Sequence, residues 1–204
     1  LKEIGAIDLM SEALQDKLVR TGFVPLPGWL LISTLAGFFA TDYNPIASHV
    51  SVMTLEDSLA HTIANIAALT AGIALILFGT GVWLASRRKF AAGAFCWILF
   101  GVSMIANGIW PMGGPMHGLY IIGIFSIIAP ALTVLDVERP ELQRRLYAIT
   151  AFCSLAGVLY LWIMLNGFDP DGYSGLTQRI FGSISYLWPL VFAAAFLKTK
   201  SAEA

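Results

Sequence analysis

Apolar residues fall into six blocks along this chain, at positions 23–40, 59–85, 91–110, 117–135, 147–167 and 176–197. At a rise of about 1.5 Å per residue, each block suits a hydrocarbon layer about 30 Å thick. Short polar punctuation separates them: TDYNP at 41–45, SRRK at 86–89, PMGGPM at 111–116, DVERPELQRR at 136–145 and FDPDGYSG at 168–175. The pattern predicts an all-α, polytopic membrane bundle of six transmembrane helices. Pro115 stands just before the fourth helix, where a missing amide costs nothing. Pro130 and Pro189 fall inside the fourth and sixth helices and predict kinks there. Ahead of the first block, Ile4, Ile7, Met10, Leu14 and Leu18 recur at three- and four-residue spacing among charged residues. That spacing predicts an N-terminal amphipathic interfacial helix over 1–22, a transmembrane domain over 23–197 and a tail over 198–204.

Composition narrows the class. Hydrophobic residues make up 57% of the 204 positions and charged residues only 12%, whereas soluble domains carry about one quarter charged residues. This argues against a soluble globular fold, a disordered chain and a nucleic-acid partner; the lipid bilayer is the expected solvent. The first twenty residues lack the apolar core of a cleavable signal peptide. Cys96 and Cys153 both sit inside apolar runs and read as buried structural thiols. The halves share no motif, so no internal repeat supports a transporter.

The charges are sorted by side. Of the twelve basic residues, eleven lie before the first helix, in the second and fourth connections, or after the sixth helix. The positive-inside rule therefore predicts a multi-pass plasma-membrane protein with both termini cytoplasmic. Trp110 at an outer end, with Trp29 and Trp83 near inner ends, fits aromatic belts. Arg179 is the one basic residue on the outer side.

The remaining polar residues also collect on that side, including His49, His61 and His117. Along the second helix, Thr54, Asp57, Ser58, His61 and Asn65 follow three- and four-residue steps, which predicts one polar stripe facing the bundle interior. The lone Arg179 is expected to pair with Asp57, Asp42 or Glu56, or to grip an anionic substrate. His117 follows GGP at a helix start, where amide dipoles favour a neutral ring. With Asp57 one turn before His61, the residues His49, Asp57, His61 and His117 form a candidate zinc set, although the spacing is no recognised metal signature. The competing expectation is a hydrogen-bonded polar lid, with no cofactor firmly implied. Phosphate-cradling, dinucleotide and nucleophile-elbow motifs are absent.

Three segments carry a resemblance: DYNPIASHVS after the first helix, WPMGGPMHG into the fourth and GLTQRIFGSISYLW opening the sixth. In their order and spacing the chain resembles the bacterial and archaeal membrane proteins catalogued as the domain-of-unknown-function 998 family, over about nine tenths of its length. The resemblance implies a small bundle of about six spans. It singles out Asp42, Asn44, Pro45, Ser51, Pro111, His117, Gln178 and Arg179, and it brings no established activity. His49, Asp57 and His61 fall outside those matches.

The sequence thus supports three readings. One is an outward polar pocket binding a small or lipid-derived ligand through Arg179, His117, Asp42, Asn44 and Gln178. Another is a metal-dependent membrane hydrolase, a loose analogue of the alkaline ceramidase type, in which zinc-bound water is the nucleophile. The third is a non-catalytic accessory or structural subunit whose polar residues tie loops together; the sequence names no protein partner.

Overall fold

The computed structural model describes residues 12–86 and 88–203. Ile4, Ile7 and Met10 of the amphipathic stripe therefore lie outside the described residues. Six helical elements run back and forth: α1 Glu12–Gly37, α2 Leu59–Ser86, α3 Ala92–Ile109, α4 Phe125–Asp136, α5 Pro140–Leu165 and α6 Ser174–Glu203. No strand occurs among the described residues. The connections after α1, α3 and α5 share one end of the bundle, called here the motif end. The links after α2 and α4 and the end of α6 share the other, the terminal end.

Five of these elements, all but α4, are long and apolar enough to span a membrane. The α4 helix has 12 residues, roughly 18 Å at the α-helical rise. A 3₁₀ helix of eight residues, His117–Ile124, precedes it and adds roughly 16 Å at about 2 Å per residue. Together they complete a sixth crossing with the expected boundaries but a tighter winding in its first half.

The first and last spans reach farther than the apolar blocks suggest. Residues 12–20 are helical and lead through a 3₁₀ turn, Thr21–Phe23, into the α-helix Pro25–Gly37. Leu18 and Val19 pack so closely on Gly81 of α2 that a Cβ there would lie 2.7 Å from the Val19 amide nitrogen. Gly22 is pressed against α6, where a Cβ would stand 2.7 Å from the Pro189 carbonyl oxygen. Residues 12–22 therefore dock along the bundle, while Leu14 keeps an exposed apolar face. At the far end α6 runs on through Lys200, whose Nζ lies 3.0 Å from Asp16 and 3.3 Å from Glu12. The expected tail is thus a continuation of α6.

The helices α2 and α3 pack by removing side chains. A Cβ on Gly72 would meet the Gly101 carbonyl at 2.7 Å, one on Gly79 the Ala94 carbonyl at 2.8 Å, and one on Gly108 the Asn65 carbonyl at 3.0 Å. These contacts recur at seven-residue steps on both helices, which is the register of an antiparallel pair. Because lipid is as apolar as a leucine side chain, such close approach is a main source of helix association in a membrane.

Aromatic packing joins the remaining layers. Trp97 of α3 stacks on Trp188 of α6 with centroids 5.3 Å apart, and Phe78 of α2 meets both edge-on. Each indole N–H would be orphaned in this core. Instead Trp97 donates to Thr133 of α4 at 3.0 Å, and Trp188 donates to Thr150 of α5 at 2.9 Å. Trp29 also belongs to the interior and not to an aromatic belt, because the described part of α1 already starts eleven residues ahead of its apolar block. It is buried against Gly182 and Tyr186.

Candidate functional site

The motif end is built around the connection from α1 to α2. Its first turn places Asp42 in the left-handed region at φ 52°, a conformation that short polar residues adopt more readily than others. Asn44 then folds the chain back, its Oδ1 accepting the amides of Ile46 at 2.9 Å and Ala47 at 3.3 Å. This Asx-type turn aims the following carbonyls outward.

The start of α6 collects those carbonyls one after another. Arg179 Nη1 donates to Pro45 at 2.8 Å, and the Leu176 amide to Ile46 at 2.9 Å. Ser174 Oγ donates to Ala47 at 2.6 Å; Tyr43 and Arg179 both donate to Ser48, at 3.1 and 3.4 Å. Gln178 closes the seam by accepting the Val50 amide at 2.8 Å. Arg179 Nη2 bonds the Tyr43 hydroxyl, and the guanidinium lies 5.7 Å over the Tyr43 ring. Gly175 permits this approach, since a Cβ there would stand 2.3 Å from the Ser48 oxygen.

The third segment joins through the 3₁₀ helix Val50–Leu55. Thr54 Oγ1 accepts the Met112 amide at 3.0 Å, and Ser51 Oγ approaches the Met112 sulfur at 3.7 Å. The PMGGPM turn closes on itself with Gly114 donating to Pro111 and His117 donating through its amide to Gly114. His117 Nδ1 sits 3.0 Å from the Trp110 carbonyl. All three segments read as motifs in the sequence thus form one continuous cap.

A family model described as "Protein of unknown function (DUF998)" matches residues 24–195. The chain belongs to this family. The match runs from α1 into α6 and includes every cap contact just described. Comparison with the curated proteins and with the solved structures returns no significant match.

The geometry revises the chemistry expected for this family member. Arg179 forms no ion pair with Asp42, Glu56 or Asp57 among the described residues; carbonyl oxygens and Tyr43 take its donors instead. The reason is reach: the loop folds its own backbone over the start of α6 before any carboxylate arrives. The expected polar stripe also breaks up. The α2 helix begins at Leu59, so Thr54 and Asp57 precede it, and only His61 and Asn65 share its first turns. Ser58 acts as the cap, its Oγ accepting the His61 amide at 3.4 Å.

The proposed zinc set is not assembled. Among the described residues no group of three or more His, Cys, Asp or Glu is placed to hold a metal. His61 Nδ1 is turned to the Glu56 carbonyl at 3.0 Å, Asp57 is exposed, and His49 lies at the start of the 3₁₀ helix Val50–Leu55. With Thr54 and Asp57 outside α2, the helical spacing that would have aligned carboxylate and imidazole does not exist.

Sequence reasoning missed a buried polar cluster at the terminal end. Asp136, only 3% exposed, accepts the Gly93 amide at 2.7 Å and so satisfies an orphan donor at the start of α3. Arg88 stands 3.7 Å from its other oxygen and donates to the Leu135 carbonyl at 3.0 Å. Gly93 lets α4 press in, since a Cβ would fall 2.2 Å from the Thr133 amide nitrogen. One clue was available: a carboxylate in the last turn of α4 opposes that helix's own dipole, and therefore serves another helix.

Proposed function

We propose that this DUF998 protein is a non-catalytic integral membrane protein, an accessory or structural subunit, whose motif end is a cap that fixes the helix ends relative to one another. The reading includes a plasma-membrane location, a cytoplasmic terminal end and an extracytoplasmic cap, in line with the distribution of basic residues. The observation that carries it is the capture of four successive carbonyls, Pro45 to Ser48, by the start of α6. A guanidinium committed to backbone oxygens and to Tyr43 serves as a clamp.

A second reading, binding of a small or lipid-derived ligand at the cap end, draws on one observation. Asn65 Oδ1 and Asn107 Oδ1 are buried there without a hydrogen-bond partner, and such acceptors are costly unless a donor reaches them.

Replacing Arg179 separates the two. As a clamp, Arg179→Gln lowers the thermal unfolding midpoint and opens the loop 43–50 to protease, with a loss of about 2–4 kcal/mol for several charge-assisted bonds. Arg179→Lys recovers only part, because a compact ammonium cannot reproduce the planar fork that reaches the Pro45, Ser48 and Gly175 carbonyls and the Tyr43 hydroxyl together. If Arg179→Gln unfolds like the wild type but loses a small molecule or lipid that co-purifies with it by mass spectrometry, the clamp reading fails and the ligand reading stands.

A further inference from the structure

We propose that Arg139, at the terminal end, binds the phosphate of an anionic phospholipid headgroup. Arg139 lies in the short link between α4 and α5, where its amide donates to the Val137 carbonyl at 2.9 Å and its carbonyl accepts the Gln143 amide at 2.9 Å. The backbone is therefore fixed. Its guanidinium carbon sits 4.9 Å from the centroid of the Phe196 ring, which is fully buried. Resting on that aromatic face orients the planar fork and removes part of its entropy of binding.

Beyond the Phe196 ring, the guanidinium of Arg139 has no carboxylate partner among the described residues. Its Nη1 is buried with no hydrogen-bond acceptor, and no ion pair reaches the side chain among the described residues. Glu138 and Glu141 stand beside it, yet each carboxylate is already engaged: Glu138 with Arg88 at 3.0 Å, and Glu141 with Arg144. Arg88 also faces Asp136 at 3.7 Å, so these three carboxylates are served by Arg88 and Arg144 alone, and Arg139 is the cation of this group with no carboxylate at ion-pair distance. Together with Glu138, Pro140 and Glu141 it lines an open surface groove of about 440 Å³.

An unpaired buried guanidinium donor needs an acceptor, and a phosphate oxygen pair matches its fork. The link stands where α4 ends at Asp136 and α5 begins at Pro140, which is the depth of lipid headgroups for helices that cross the bilayer. Basic pockets at helix ends on the face rich in Lys and Arg recruit anionic headgroups by the same logic. A phosphate ion from solution offers the same oxygens, so the source of the phosphate has to be separated by experiment.

The full chain is placed in phosphatidylcholine nanodiscs with and without phosphatidylglycerol, and its unfolding midpoint and retained lipid are measured. Wild-type protein is expected to gain stability from phosphatidylglycerol and to carry it into native mass spectrometry. Arg139→Gln should lower that lipid's affinity by about tenfold or more, the scale of a lost charge-assisted pair. Arg145→Gln, which removes one exposed charge from α5 without touching the groove, should leave it unchanged. Should Arg139→Gln fail to fold in phosphatidylcholine alone, Arg139→Lys takes its place, with most of the affinity lost and the net charge kept. Equal loss in the Arg139 and Arg145 variants would reduce the effect to general surface charge and overturn the site. Stabilisation by inorganic phosphate in phosphatidylcholine equal to that by phosphatidylglycerol would overturn the lipid as the ligand.

Discussion

Asp42 was a candidate ligand contact from its motif, and the structure gives it a backbone reason: φ 52° at the turn that launches the cap loop. A residue there must tolerate the left-handed region, which costs about 1–2 kcal/mol for most L-residues and less for Asp, Asn or Gly. Asp42→Val is therefore expected to lower stability by about 1–2 kcal/mol, whereas Asp42→Gly stays within about 0.5 kcal/mol of the wild type. Thermal unfolding of both variants checks this; a stable Asp42→Val protein would mean that the turn is not under backbone control. Arg179 teaches a related lesson. Its separation from the other eleven basic residues is plain in the sequence, but its partners are not. Backbone carbonyls leave no mark in a residue string, so the carboxylates are the partners that spacing suggests and the carbonyls are the ones the fold supplies.

Between elements, the close seam of α2 and α3 depends on Gly72, Gly79, Gly101 and Gly108. A branched side chain at Gly101 would have to displace the Gly72 carbonyl, which belongs to a rigid helix. Gly101→Val is expected to destabilise by at least about 1–3 kcal/mol, the range for overpacking. Ile73→Val, on the exposed face of α2, should change stability by no more than about 0.5 kcal/mol. Similar unfolding midpoints for the two variants would show that this seam does not rest on close backbone approach. The glycines were visible in the sequence as a composition, and their pairing was not. Pairing requires knowing which helices are neighbours, as does the satisfaction of Trp97 and Trp188 by threonines on α4 and α5.

For the whole molecule, six crossings bring residue 12 and the end of α6 to the same end, where Lys200 is tied to Asp16 and Glu12. The orientation in a cell rests on the basic residues and is open to direct measurement. The native thiols Cys96 and Cys153 are buried, so cysteines introduced at exposed Ser201 and Asp171 can be probed separately with a membrane-impermeant maleimide. Asp171→Cys is expected to label in intact cells, and Ser201→Cys only after permeabilisation. The reverse pattern would invert the assignment of the cap to the outside.

Hydrophobic block length and polar punctuation determined the number and order of the crossings, because the bilayer imposes one length scale on every spanning segment. The motifs also marked the cap, since turn residues such as Asn44 and Gly113 announce local backbone needs. That residues 12–20 are helical follows from their three- and four-residue apolar spacing; that they join α1 and dock along the bundle, and that α6 runs on through Lys200, was decided by tertiary contact, where Lys200 meets Glu12 and Asp16. The chemistry of the cap was decided there as well. Whether Arg179 meets a carboxylate, a ligand or a backbone carbonyl depends on which atoms the folded loop brings within about 3 Å, a distance that no spacing along the chain encodes.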